Sequence, residues 1–62
     1  MKVLIVEDET AAAVNLQAIL RKVAPTYEVL AVLESIEDTV DYFRDPAQTA
    51  PDLVFMDIHL AD

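Results

Sequence analysis

Three runs of apolar residues, none interrupted by a polar position, punctuate this chain. Val3-Leu4-Ile5-Val6, Val29-Leu30-Ala31-Val32-Leu33 and Leu53-Val54-Phe55-Met56 are continuous rather than alternating. Continuous runs of this length suit strands covered on both faces, as in parallel sheets. Between the runs the period changes. Ala12, Leu16, Ile19, Leu20 and Val23 recur at helical spacing with Asn15, Arg21 and Lys22 off the stripe, which predicts an amphipathic helix. Pro25 stops it, and Ala24 before the proline is biased out of the helical region. The second strand is expected within 27–33. Ser35 then offers an N-cap, with Glu37 and Asp38 in the first turn behind it. Ile36, Val40 and Phe43 form a shorter apolar stripe, with Glu37, Asp38, Asp41 and Asp45 expected to face water and Pro46 ending the helix. Residues 46–52 form a loop before the third strand. The order is β-α-β-α-β, an alternation that predicts an α/β fold with a parallel sheet and right-handed crossovers.

Composition narrows the chemistry. The chain has 62 residues, and one this short buries only about 60% of the surface its unfolded form exposes, so its core is marginal. It contains no cysteine, which removes disulfides and thiolate metal sites, and its one histidine, His59, cannot build a histidine-rich site. Carboxylates remain as ligands, and their oxygens suit hard cations such as magnesium or calcium. Twelve acids against four bases give a net charge of −8. That surface repels nucleic-acid backbones and anionic membranes alike. With 55% hydrophobic residues the acids are no solvated tail, and no run approaches the roughly 20 apolar residues of a membrane span. The N-terminus lacks the features of a signal peptide, so a cytoplasmic location is expected.

The acids are placed suggestively. Ligands of open parallel sheets bind beyond the carboxyl ends of the strands. Glu7 and Asp8 follow the first strand, and Asp57 follows the third. With those strands adjacent, three carboxylates converge, each raising the others' pKa unless a cation offsets them. Magnesium is the natural candidate, because it needs only one or two carboxylates, waters and phosphate oxygens. Each acid also has a plainer reading. Glu7, Asp8 and Glu9 suit a helix N-terminus, and Asp57 alone suits a turn after a strand.

Two segments carry a family resemblance. Lys2-Val3-Leu4-Ile5-Val6-Glu7-Asp8-Glu9 resembles the opening of response-regulator receiver domains, and Pro51-Asp52-Leu53-Val54-Phe55-Met56-Asp57-Ile58-His59-Leu60 resembles their phosphoacceptor segment. The tail after Asp57 is most similar to regulators with a LytTR-type DNA-binding output. The resemblance implies half of a flavodoxin-like, doubly wound sheet with strand order 2-1-3. Residues 1–62 would then be the N-terminal half of a receiver domain, truncated before strand four. It implies Asp57 as the phosphoacceptor, taking its phosphoryl group from a sensor histidine kinase. It further implies a magnesium ion held by Glu7, Asp8, Asp57 and the backbone carbonyl of His59. The role implied is a switch for a transcription-regulating output, not an enzyme.

Two rivals stand beside it. A Toprim-like metal enzyme would want a second acid two residues beyond Asp57, where His59 stands. A receiver-like interaction module without phosphoryl chemistry is the other. Strand three, apolar on both faces and without proline or lysine, would be interior in a complete receiver domain and is expected here to be an open edge, through which two copies associate or which another part of the parent protein covers.

Overall fold

A computed structural model describes residues 1–57 of the chain. β1 (Lys2–Val6), α1 (Thr10–Val23), β2 (Glu28–Leu33), α2 (Ile36–Arg44) and β3 (Leu53–Met56) follow in that order. The three strands form one sheet, β2-β1-β3, parallel throughout. β1 lies in the middle with a strand on either side and a helix over each face. Its run Val3-Leu4-Ile5-Val6 is therefore 0% exposed at all four positions. Val3 and Ile5 point to the α1 side, where they meet Leu16, Leu20, Tyr27, Val29 and Phe55. Leu4 and Val6 point the other way, toward Tyr42, Ala31, Leu33 and Val54. One helix on each face makes the sheet doubly wound, as a partial flavodoxin-like fold requires.

A register shift in β2 makes this two-sided core possible. Val3 pairs with Val29, but Leu4 pairs with Ala31, so Leu30 is an extra residue. In an unbroken strand Val29, Ala31 and Leu33 would share one face. Because of the bulge, Val29 joins the α1 side while Ala31 and Leu33 join the α2 side.

The helix boundaries agree with the sequence signals, but the buried faces do not agree with the apolar stripes. α1 buries Ala13 and Leu20, with Leu16 half-buried, while Ala12, Ile19 and Val23 are exposed. α2 buries Thr39 and Tyr42, and the expected stripe of Ile36, Val40 and Phe43 stays 50, 40 and 55% exposed. Two features explain the setting of α2. The Tyr42 ring packs on Leu4 and Val6 while its hydroxyl donates to the Thr49 carbonyl (2.7 Å), so one side chain fills the core and ties down the following loop. The Thr39 hydroxyl donates to the Ser35 carbonyl (2.8 Å), which satisfies the polar group that burial would otherwise penalise.

Local chemistry fixes the ends of the elements. The Ser35 Oγ accepts the Asp38 N–H (3.0 Å), the expected cap of α2. Arg21 and Lys22 lie in the last turn of α1, where they complement the helix dipole. Asp52 locks the start of β3 to β1: its carboxylate accepts the Lys2 N–H (2.8 Å), and its own N–H donates to the Lys2 carbonyl (2.7 Å).

Candidate metal centre

The parallel ladders run on past the strands and carry the acids with them. The Glu7 N–H donates to the Leu33 carbonyl (2.8 Å) and the Asp57 N–H to the Val6 carbonyl (3.0 Å). Glu7 is thus held to β2 and Asp57 to β1, both at the carboxyl edge of the sheet. Asp8 follows immediately. One carboxylate oxygen from each of Glu7, Asp8 and Asp57 lies within 4.8 Å of the others. Glu7 and Asp57 are half-buried, and Asp8 is exposed.

The plainer reading of these acids as helix-terminus charges fits less well. α1 begins at Thr10 with no acid in its first turn, and Glu9 occupies the N-cap position without a side-chain capping bond. Instead the Glu9 N–H donates to Glu7 Oε1 (3.1 Å), which holds the Glu7 carboxylate beside its neighbours. That bond lowers the Glu7 pKa. Desolvation and the nearby Asp57 and Asp8 carboxylates act in the opposite direction and prevail, leaving the Glu7 carboxyl above its ordinary value. Crowded carboxylates of this kind are the electrostatic setting in which a cation is favoured.

The spacing suits a hard cation. Oxygens on opposite sides of a magnesium ion lie about 4.2 Å apart, and around calcium about 4.8 Å. With their oxygens within 4.8 Å of one another, the three acids would draw inward to ligate one ion at the roughly 2.1 Å of magnesium or 2.4 Å of calcium. His59 lies outside the described residues, and so does its expected carbonyl ligand. Glu9 is not part of the carboxylate group.

Below the acids is an open cleft of about 390 Å³, lined by Ile5, Val6, Glu7, Leu16, Phe55, Met56 and Asp57. Leu16, Phe55 and Met56 had no functional signal in the sequence. Their part follows from packing, because Leu16 of α1 and Phe55 of β3 both lie against the Val3 and Ile5 side of β1. The cleft is apolar at its base and acidic at its rim. None of the four basic residues, Lys2, Arg21, Lys22 and Arg44, lines it.

Among the described residues no helix is long and apolar enough to cross a membrane. Compared with family models, with curated proteins and with solved structures, the chain matches none.

Proposed function

We propose that this chain carries the phosphoacceptor site of a two-component response-regulator receiver, with Asp57 as the acceptor and Glu7 and Asp8 as its metal-site partners. The observation that supports it best is the convergence of these three carboxylates to within 4.8 Å at the carboxyl edge of a parallel sheet. A carboxylate is a weak nucleophile, and phosphoryl transfer depends mainly on positioning and charge neutralisation. In the proposed step an Asp57 carboxylate oxygen bonds to the phosphorus of a phosphohistidine on a sensor kinase. The P–N bond breaks, and its electron pair remains on the imidazole nitrogen, which is protonated. A magnesium ion, when bound, would supply the charge neutralisation that lets a phosphate approach three acids. Glu7 and Asp8 would hold the cation, and the backbone bond from Asp57 to Val6 fixes the acceptor relative to them. The acyl phosphate formed is labile, as a reversible signal in a cytoplasmic, DNA-regulating pathway requires.

A second reading is a receiver-like interaction module without phosphoryl chemistry. It is favoured by one observation: no basic side chain lines the cleft to hold phosphate oxygens. The two readings separate in one experiment. The polypeptide carrying this segment is incubated with acetyl phosphate and magnesium and analysed by intact mass and peptide mapping. The phosphoacceptor reading expects one phosphoryl group, on Asp57, abolished by Asp57→Asn and strongly reduced by Asp8→Asn. Phosphate on another residue overturns the Asp57 assignment, and none under any condition supports the interaction module.

A further inference from the structure

Glu7 is fixed at both of its ends. Its backbone N–H donates to the Leu33 carbonyl of β2 (2.8 Å), and its carboxylate Oε1 accepts the Glu9 N–H (3.1 Å). The Glu9 peptide group is itself anchored. Its carbonyl accepts the Ala13 N–H (3.0 Å) at the start of α1, and Leu20 of that helix is buried against Val3 and Ile5 of β1. A line of packed and bonded groups therefore runs from the sheet through α1 to one oxygen of Glu7. β1, α1 and the residues between them supply all of it, so it is independent of whatever follows β3. The Glu9 side chain takes no part, being exposed and making no capping bond.

This bond has a consequence for the ion the site would take. A glutamate side chain has more rotatable bonds than an aspartate, and here Asp8 and Asp57 both repel its charge. Without a partner the Glu7 carboxylate would swing away toward water. Held at Oε1 by a fixed N–H, it offers a cation its other oxygen more readily than both together. Acids that each give one oxygen, with waters completing the shell, suit the octahedral geometry of magnesium. Calcium takes more oxygens, often two from one carboxylate.

We infer that the Glu9 peptide N–H is the positioning group of the cation site, holding Glu7 to ligation through one oxygen and so favouring magnesium over calcium. The inference rests on the cation-site reading above and deepens it. Hydrogen bonds that orient a metal ligand in this way typically contribute about 10–100-fold in metal affinity.

Two substitutions isolate the N–H. Glu9→Pro removes it, at a backbone φ of −93° that lies near the proline range. Glu9→Ala keeps it and removes only the side-chain carboxylate. Magnesium and calcium titrations of the polypeptide carrying this segment, followed through the Asp8 and Asp57 amide resonances, give both affinities for each variant. Glu9→Pro is expected to weaken magnesium about tenfold and calcium less, moving the ratio of affinities several-fold toward calcium. Glu9→Ala lowers both alike through lost charge and leaves the ratio in place. A ratio that Glu9→Pro does not move, or that Glu9→Ala moves as far, overturns the inference and leaves the cation site standing. No saturable binding of either ion by the parent overturns both. Hydrogen exchange at the Glu9 amide decides the matter should Glu9→Pro fail to fold. It is expected to be slower in the parent than in Glu7→Ala, and to stay slow when magnesium saturates the site. Exchange that quickens on magnesium binding means that the cation takes the oxygen the amide held, which overturns the inference.

Discussion

The rotational setting of α2 can be tested with two adjacent aromatic residues. Tyr42 is 9% exposed and packs on Leu4 and Val6, whereas Phe43 is 55% exposed. Truncating a buried aromatic residue to alanine costs about 3–5 kcal/mol. A single small core supplies a net stability of only about 3–5 kcal/mol, so Tyr42→Ala should leave the chain largely unfolded. Phe43 removes under half of its ring from water. Full burial of such a side chain is worth about 1.5–3 kcal/mol, so its share is about 1 kcal/mol. Its edge-on contact with Tyr42, at 5.7 Å and 79°, adds about 0.5–1.5 kcal/mol. Tyr42→Phe removes only the hydrogen bond to Thr49, for about 1 kcal/mol. Urea unfolding followed by circular dichroism, at the lowest workable concentration so that association contributes little, gives all three values. The expected order of cost is Tyr42→Ala well above Phe43→Ala, with Tyr42→Phe near or below Phe43→Ala. If Phe43→Ala is the most damaging, α2 sits with Ile36, Val40 and Phe43 inward, and the core described above is wrong.

Two further outcomes follow from local chemistry. Ser35→Ala removes the acceptor of the Asp38 N–H and should lower stability by about 1 kcal/mol, measured by the same unfolding assay; no change would mean that the cap contributes nothing in solution. Glu7 has its pKa raised in the folded chain, so folding favours its protonated form. Its contribution to stability is present below the unfolded pKa and is lost as pH rises through the folded one. In the absence of divalent cations, Glu7→Gln should therefore flatten the fall in melting temperature across that window, and an unchanged pH profile would contradict the crowding of the three acids.

The element order and the sheet were legible because each apolar run sits where a covered strand must sit, most plainly at β1, which is 0% exposed from Val3 to Val6. The convergence of Glu7, Asp8 and Asp57 was legible for the same reason: strand ends in a parallel sheet share one edge. The bulge at Leu30 was not, because Val29-Leu30-Ala31-Val32-Leu33 reads the same in any register. The buried face of α2 was missed because Thr39 is polar and Tyr42 amphipathic, while Ile36, Val40 and Phe43 have equally good helical spacing. Their burial depends on partners that a sequence pattern does not name. The capping of Glu7 by the Glu9 amide was also beyond reach, since it depends on the backbone path between β1 and α1.

The central claim is that three acids from two strand ends form one cation site. A magnesium titration followed through the backbone amide resonances tests it most directly. The account expects the amides of Glu7, Asp8 and Asp57 to shift together along one binding curve, with the melting temperature rising by mass action, and both effects to vanish in Asp57→Asn. Shifts of equal size and midpoint at Glu37, Asp38 and Asp41 on the exposed face of α2 would show diffuse attraction to a chain of charge −8, and no site.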